Sequence, residues 1–240
     1  MSHFEEIDVG NLPLTGFDEI RTVQRHPLIE LKSAVNAISD IRNVTTLVGS
    51  STAVINSSEY QLSTTALASD KVTFDSAERG RYLPGYQCIV GIGVRIPAVT
   101  LTGQMDQQWG YFDDDDGWYW GEDATGIYVC IRRAGSDTKT YQSNFNGDKL
   151  DGTGASGHTL DLTAGNIFEI TFSWYGYGAI EFSVIVKNVA STPSQKIIKC
   201  HVLNQVGETS IEQPNLPIRV QVINGTTATA HEIFVAGRQF

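Results

Sequence analysis

The clearest structural signal in the chain is the run Ile167-Phe-Glu-Ile-Thr-Phe-Ser-Trp174, followed by Tyr175-Gly-Tyr-Gly178 and Ala179-Ile-Glu-Phe-Ser-Val-Ile-Val186. From Phe168 to Trp174, apolar residues occupy every second position and polar residues fill the positions between them. Successive side chains of a strand point to opposite faces, so this pattern predicts a β-strand with one buried and one wetter face. The two glycines that follow indicate a tight hairpin between two antiparallel strands.

Similar short runs occur along most of the chain and are separated by Gly, Pro, Asn, Asp or Ser. They predict strands at 72–74, 86–96, 108–112, 118–121, 126–133, 138–142, 196–203, 218–223 and 231–235. About a dozen short strands at this spacing are typical of an all-β fold. We therefore expect an antiparallel β-sandwich of the jelly-roll or concanavalin-like type.

The first part of the chain carries weaker signals. Residues 1–26 are largely polar and show no sustained period, which predicts an irregular N-terminal arm. Residues 27–69 predict short strands in a Ser/Thr-rich assembly region. Within it, the residues after Pro27 fit a short strand, followed by a turn or a short helix near Ala34–Ile41. The sandwich domain is expected to span residues 70–240.

Composition narrows the classes of function. Charged residues make up 18% of the 240 residues, against about 25% in typical soluble domains, and 23 glycines favour a turn-rich β protein. The formal net charge of −10 argues against nucleic acid or an anionic membrane surface as a partner. No apolar run is long enough for a membrane span, and the acidic start lacks the pattern of a secretory signal. Three widely spaced cysteines predict buried, reduced thiols.

An acidic cluster follows the strand at 108–112. Asp113, Asp114, Asp115 and Asp116 are consecutive, and Glu122 and Asp123 come shortly after them. Hard oxygen ligands of this kind suit Ca²⁺, so the six carboxylates form a candidate metal site; no other cofactor is expected. The alternative is that the four aspartates form a solvated hairpin tip.

Aromatic residues flank the same acidic cluster. Trp109, Tyr111, Trp118, Tyr119 and Trp120 could form a platform on which sugar rings stack, with the carboxylates accepting hydroxyl hydrogen bonds. Because side chains alternate along strands, about half of these rings are expected to point inward. Core packing and a subunit interface are therefore the alternatives to a glycan site.

The remaining candidates concern catalysis and assembly. Glu169 and Glu181 lie on neighbouring predicted strands and could form the carboxylate pair of a polysaccharide-degrading enzyme. Nothing in the sequence marks them as a pair, and we expect a protein that is not an enzyme. Five arginines could form ion pairs across a subunit interface, or could instead be solvated: Arg79, Arg81, Arg132, Arg133 and Arg238.

Five strings in this order resemble virion-associated structural proteins of tailed bacteriophages and, more distantly, of large DNA viruses. The resemblance covers roughly residues 27–240. The strings are Asp75-Ser-Ala-Glu-Arg-Gly-Arg-Tyr-Leu-Pro-Gly-Tyr86, Gly110-Tyr-Phe-Asp-Asp-Asp-Asp-Gly117, Asp148-Lys-Leu-Asp-Gly-Thr-Gly-Ala-Ser-Gly157, Trp174-Tyr-Gly-Tyr-Gly178 and Pro214-Asn-Leu-Pro-Ile-Arg219. The third string has Ala155 where the family pattern has proline.

The resemblance implies a β-sandwich component of the virion without catalytic residues. We expect a capsid- or tail-associated accessory, cement or fibre-type protein, made in the host cytoplasm, that contacts other virion proteins. The arm and the weakly charged β surface favour a homo-oligomer, for example a trimer. The alternative function is a host-receptor or glycan-binding module of the tail or fibre, and a polysaccharide-degrading enzyme is a remote third.

Overall fold

The structure is a computed structural model that describes residues 26–34, 37–188, 194–204 and 207–240. Apart from a short 3₁₀ turn at Gln142–Asn144, its regular elements are β-strands. In chain order these are β1 (Glu30–Leu31), β2 (Asn43–Val48), β3 (Thr52–Asn56), β4 (Glu59–Ser63), β5 (Lys71–Arg79), β6 (Cys88–Arg95), β7 (Asp106–Phe112), β8 (Gly117–Asp123), β9 (Gly126–Arg133), β10 (Ser136–Tyr141), β11 (Asn166–Phe172), β12 (Ile180–Asn188), β13 (Ser194–Leu203), β14 (Pro217–Ile223) and β15 (Glu232–Gln239).

The strands form two antiparallel sheets that pack into a sandwich. The eight-stranded sheet has the order β13-β12-β11-β6-β15-β4-β3, with β1 paired to β15, and the seven-stranded sheet has the order β10-β9-β8-β7-β14-β5-β2. The predicted hairpin is present, since β11 pairs with β12 and Ile170 lies opposite Phe182. The all-β antiparallel sandwich predicted from the sequence is therefore confirmed.

Both sheets contribute aromatic rings to the core between them. Trp109, Trp118 and Trp120 of the seven-stranded sheet are fully buried against Phe168 and Phe172 of the eight-stranded sheet. Ring centroids lie 5.0 Å apart for Trp109 and Phe168, and 4.6 Å apart for Trp118 and Phe172. A buried aromatic side chain removes about 150–250 Å² from water, so this layer supplies a large share of the apolar burial.

The segment before residue 70 is part of the sandwich. Strand β2 belongs to the seven-stranded sheet, whereas β3 and β4 belong to the eight-stranded sheet, and Leu62 of β4 is fully buried. The boundary expected at residue 70 is therefore not a structural boundary. Residues 37–42 form bends and a turn rather than the short helix that the spacing allowed. Residues 1–25 of the predicted N-terminal arm lie outside the described residues.

Arg238 is a buried charge that links the two sheets. It projects from β15 and is 1% exposed, and its guanidinium donates to the backbone carbonyls of Ile218 at 3.0 Å and Phe74 at 3.3 Å. It also donates to the side-chain oxygen of Asn43 and lies 4.3 Å from the ring centroid of Phe74. Burial lowers the pKa of Arg238 to about 10. The prediction that Arg238 forms surface ion pairs at an interface is therefore wrong.

Substituting Trp120 with Ala tests the aromatic core. The Trp120 ring contacts Phe168 at 5.2 Å and Phe182 at 5.6 Å between centroids, so its removal leaves a cavity between the sheets. We expect Trp120→Ala to lower the free energy of unfolding by about 3–5 kcal/mol in urea denaturation followed by circular dichroism. Tyr86→Ala, at an exposed ring, is the control and should change it by no more than about 0.5 kcal/mol. Equal midpoints for the two variants would contradict the described packing.

Candidate functional site

Several loops meet at one end of the sandwich and are tied together by hydrogen bonds. Arg79 donates to the Asp113 carboxylate at 2.9 Å and to the Asn215 carbonyl at 3.1 Å. The Asn215 side-chain oxygen accepts from the Tyr82 backbone N–H at 2.9 Å, and the Tyr82 hydroxyl accepts from the Tyr175 backbone N–H at 2.8 Å. The loops at 80–87, 113–116, 173–179 and 212–216 therefore form one surface, which we call the tyrosine end.

Three tyrosines are exposed on two of these loops. Tyr86 is 68% exposed, Tyr175 is 50% exposed and Tyr177 is 66% exposed. Tyr175 reaches the neighbouring loop, because a Cβ added to Gly85 would lie 3.1 Å from its hydroxyl oxygen. Exposed aromatic rings on adjacent loops are unusual, since such side chains normally contribute to a core or to an interface.

A half-buried layer beneath the exposed rings holds the loops in place. The Tyr82 ring meets the Trp174 ring edge to face at 5.4 Å, and the Trp174 indole N–H donates to the Ser210 hydroxyl at 3.1 Å. The Ser210 backbone N–H in turn donates to the Gly176 carbonyl at 3.1 Å. The exposed tyrosines therefore stand on backbone that is fixed from below.

The turn between β11 and β12 has an unusual backbone. Tyr175 has a φ of +44° and Gly176 a φ of +85°, so two consecutive residues lie in the left-handed region. A bulky residue there costs about 1–3 kcal/mol and persists only where its surroundings hold it. Gly178 closes the turn, and an added Cβ would lie 2.3 Å from the Ser173 carbonyl oxygen. This strain places the Tyr175 ring beside the 80–87 loop, and strain of this kind is concentrated at functional sites.

Tyr111 connects the tyrosine end to the core. Its ring is buried among the core aromatics, and its hydroxyl donates to the Pro214 carbonyl at 2.7 Å and accepts from the Leu216 N–H at 3.1 Å. The Gly80 carbonyl lies 3.1 Å from the same hydroxyl, and a Cβ at Gly80 would come within 2.5 Å of it. Burial raises the pKa of Tyr111, so the phenol stays neutral and can both donate and accept.

The acidic turn contributes to the tyrosine end without forming the predicted metal site. Asp113 accepts the backbone N–H groups of Asp115 and Asp116, each at 3.0 Å, and Asp116 accepts that of Glu212 at 2.9 Å. Burial alone would raise the pKa of Asp113, but these backbone donors and Arg79 lower it below its ordinary value. Asp114 pairs with Arg219 at 2.6 Å.

Glu122 and Asp123 lie at the opposite end of β8 from the four aspartates. Asp116 and Glu122 are six positions apart along the strand, which corresponds to about 20 Å. Among the described residues, no group of three or more His, Cys, Asp or Glu side chains could hold a metal ion. The prediction that the six carboxylates Asp113, Asp114, Asp115, Asp116, Glu122 and Asp123 form one Ca²⁺ site is therefore wrong, because they lie at two ends of the strand.

The predicted aromatic platform is also corrected. All five of its rings are fully buried: Trp109, Tyr111, Trp118, Tyr119 and Trp120. Four of them point into the core, as the alternation of strand residues allows. Tyr119 lies on the outer face of the seven-stranded sheet, where the guanidinium of Arg132 stands 5.1 Å from its ring centroid. None of the five can stack against a sugar at the surface in this structure.

The other predicted interface arginines pair mainly within the chain. Arg132 forms a bidentate pair with Asp137 at 2.7 and 2.9 Å, Arg133 pairs with Glu208 at 2.6 Å, and Arg79 pairs with Asp113. Arg81 is exposed on the 80–87 loop. An intermolecular role for these residues stays a prediction.

The outer face of the seven-stranded sheet carries a second polar network. The Tyr128 hydroxyl donates to Asp106 at 2.6 Å, and Lys139 contacts both Asp106 and Asp123 at 2.9 Å. Tyr128 can cross β8 because Gly121 lies beneath its ring; a Cβ there would approach the ring within 2.3 Å. The network is internally satisfied, since each cation and carboxylate in it has a partner of opposite charge.

Glu169 and Glu181 lie on the outer face of the eight-stranded sheet. The register pairs Thr171 with Glu181, which makes the two glutamates diagonal neighbours on one face. Glu181 is paired with Lys199 at 2.7 Å, and Glu169 is buried. A catalytic role for the pair stays a remote prediction.

Comparison with known proteins gives matches at the level of structure. No protein-family model and no curated protein sequence matches the chain. The carbohydrate recognition domain of Emp47p superposes with a TM-score of 0.52 at 10% identity, covering 88% of this chain and 93% of that one. The exoplasmic/lumenal domain of VIP36 in its metal-free form has a TM-score of 0.51 at 12% identity, covering 88% and 91%.

An endo-β-1,4-glucuronan lyase from the fungus Trichoderma reesei also superposes, with a TM-score of 0.51 at 11% identity, covering 89% of this chain and 94% of that one. The chain shares the sandwich fold of these three structures. This likeness confirms the concanavalin-like form of the predicted sandwich. Within the described residues, no helix is long and apolar enough to cross a membrane.

The sequence contains one signal for the tyrosine end. Tyr175-Gly-Tyr-Gly178 predicts a hairpin and belongs to one of the five resemblance strings, and it also places two aromatic residues in a tight turn where no neighbouring strand covers them. The contact between this turn and the loop of Tyr86 is tertiary, and no spacing in the sequence indicates it.

Glu122, at the far end of β8 from the tyrosine end, gives the stability of the fold a pH dependence that can be measured. Burial, and then the charge of Asp123, raise the pKa of Glu122 from 4.5 to about 7. Between these values the folded protein holds a proton that the unfolded chain releases, so the contribution of Glu122 to stability falls as the pH rises. We expect Glu122→Gln, which resembles the protonated acid, to gain stability relative to the wild type between pH 5 and pH 8 in urea titrations. A constant difference across that range would contradict the raised pKa.

Proposed function

We propose that this protein is a carbohydrate-binding module that binds its ligand at the tyrosine end. The observation that carries the proposal is the presence of three exposed tyrosines, Tyr86, Tyr175 and Tyr177, on two loops held together from below. The fold likeness to a carbohydrate recognition domain supports the same class of ligand.

The chemistry of the tyrosine end suits a sugar ring. A pyranose has an apolar face, which can cover an exposed tyrosine ring, while the phenol hydroxyl stays available for hydrogen bonds at the edge. Covering about 100 Å² of exposed aromatic surface contributes roughly 2.5 kcal/mol. Asp115 and Asn215 are exposed at the same end and offer carboxylate and amide groups for sugar hydroxyls.

The fixed loops favour affinity for a flexible ligand. Binding costs free energy when loops and side chains must be ordered, and a preformed surface avoids part of that cost. The bond from Tyr175 to Tyr82, the contact of Tyr82 with Trp174 and the bonds of Tyr111 to the 214–216 loop supply this order. The strained Tyr175 backbone is consistent with a ring that is held for binding.

Charge favours neutral glycans over acidic ones. The chain has a net charge of −10. At this end Asp114, Asp115 and Glu212 are exposed, and so are Arg79 and Arg81. A glycan rich in carboxylate or sulfate groups would be repelled by the net charge of the chain, whereas a neutral hydroxyl-rich glycan would not. We therefore propose a neutral oligosaccharide as the ligand class.

The proposal also includes a location on a virion, which is supported only by the five sequence strings. A carbohydrate-binding sandwich on a phage tail or fibre would serve host attachment, which joins the expected virion location to the proposed ligand. A purely architectural role as a capsid or tail accessory is the second candidate, favoured by the same five strings.

Glycan-array binding of the wild type and of tyrosine variants tests the site. We expect Tyr86→Ala and Tyr177→Ala each to reduce the affinity for a neutral glycan at least about tenfold, corresponding to about 1.4 kcal/mol of lost stacking. Tyr177→Phe should keep most of the affinity, because the ring remains. Ile197→Ala removes an exposed apolar side chain from the eight-stranded sheet and should have no effect. A wild type that binds no glycan, or alanine variants that bind as well as it does, would reject the proposal.

A further inference from the structure

Two neighbouring edge strands on one side of the sandwich are open. Strand β2 is the last strand of the seven-stranded sheet, and β3 is the last strand of the eight-stranded sheet. The short link at 49–51 joins them, so both edges lie on the same side, which we call the β2/β3 side. Edge strands expose unpaired backbone donors and acceptors, and these groups can pair with another strand.

The β2/β3 side lacks the charges that protect other edges. Strand β2 reads Asn-Val-Thr-Thr-Leu-Val and β3 reads Thr-Ala-Val-Ile-Asn, with no charged residue and no proline in either. The opposite edge strands differ, since β10 contains Asp137 and Lys139, and β13 contains Lys196 and Lys199. Charged side chains on edge strands are a common defence against pairing with other chains, and this defence is absent from β2 and β3. The two-residue strand β1, which pairs with β15 on the same side as β4, carries Glu30.

Apolar side chains are exposed along the same side. Val44 is 50% exposed, Leu47 49%, Val48 44% and Val54 46%. Single exposed apolar residues are ordinary, but three on one open edge strand, Val44, Leu47 and Val48, are typical of a protein interface. Val54 is exposed on the outer face of the eight-stranded sheet, because Ala53 and Ile55 beside it pack against the core. Each chain carries a net charge of −10, so two copies repel each other over much of their surfaces. The uncharged strands β2 and β3 are therefore a favourable place for two copies to meet.

The residues on the outer face of β2 can pair favourably with the same residues of a second copy. Register with β5 places Val44 opposite Asp75, Thr46 opposite Thr73 and Val48 opposite Lys71, which puts these three β2 residues on one face. If two β2 strands pair antiparallel about a two-fold axis at Thr46, Val44 of each copy faces Val48 of the other. Thr46 then faces its own counterpart. Apolar pairs and a Thr pair are both favourable across strands.

We infer that the β2/β3 side is the interface of a two-fold homodimer in which β2 pairs antiparallel with β2 of a second copy. The pairing extends the seven-stranded sheets of the two copies into one continuous sheet and brings the two β3 strands together. An isologous contact of this kind closes at two subunits, which replaces the trimer expected from the sequence. The dimer carries two tyrosine ends, but it does not depend on the proposed glycan function.

A charge at the two-fold axis tests the interface. We expect the 240-residue chain to be a dimer at micromolar concentration in light scattering coupled to size exclusion. Thr46→Lys places two ammonium groups opposite each other and should give a monomer with an unchanged circular dichroism spectrum. Thr138→Lys puts the same charge on the protected edge strand β10 and should leave the dimer intact.

A cysteine at the same position tests the register. Directly opposed residues of antiparallel strands have Cα atoms about 4.5–5.5 Å apart, which is within the range that a disulfide requires. Oxidised Thr46→Cys should therefore form a covalent dimer, whereas Thr138→Cys and the oxidised wild type should not. A monomeric 240-residue chain would overturn the inference, including one that dimerises only after deletion of residues 1–25. A dimer that survives Thr46→Lys would also overturn it.

Discussion

Packing of aromatic rings between the two sheets is the interaction on which the rest of the structure depends. Trp109, Trp118 and Trp120 face Phe168 and Phe172, and these rings set the distance between the sheets along their central strands. The three indole N–H groups have no hydrogen-bond partner among the described residues. These rings therefore act as apolar volume, and the sandwich accepts the cost of three unpaired donors in exchange for that volume.

The same core positions the tyrosine end. Tyr111 belongs to the aromatic layer, stacking on Phe172 at 5.5 Å, while its hydroxyl holds the 214–216 loop. That loop carries Asn215, which binds the Tyr82 backbone, and Tyr82 binds the Tyr175 backbone. A continuous series of contacts thus runs from the core to an exposed ring. The loops are ordered because the sandwich is packed, and the proposed ligand surface inherits that order.

Sequence reasoning predicted the strands because their signal is local. The alternation predicts which side chains point inward, and Phe168, Ile170 and Phe172 of β11 lie in the core. The wetter face predicted for this strand is not found, because Glu169 and Thr171 are buried as well. The residues of the proposed site were not predicted, because their positions depend on contacts distant in sequence. Asp116 binds the backbone of Glu212, which lies 96 positions further along the chain, and this contact makes the acidic turn a structural support. The aromatic residues beside this turn were predicted to form a surface platform. They are all buried, because they lie on β7 and β8, which are inner strands of their sheet.

The most direct test of the account is an NMR titration of the labelled protein with the neutral oligosaccharide that binds it best. If the tyrosine end is the binding site, the backbone amide shifts will change at Tyr82–Tyr86 and Trp174–Gly178, and the aromatic resonances of Tyr86, Tyr175 and Tyr177 will move with them. Changes centred instead on Arg219, Lys139 and their neighbours, on the outer face of the seven-stranded sheet, would contradict the account.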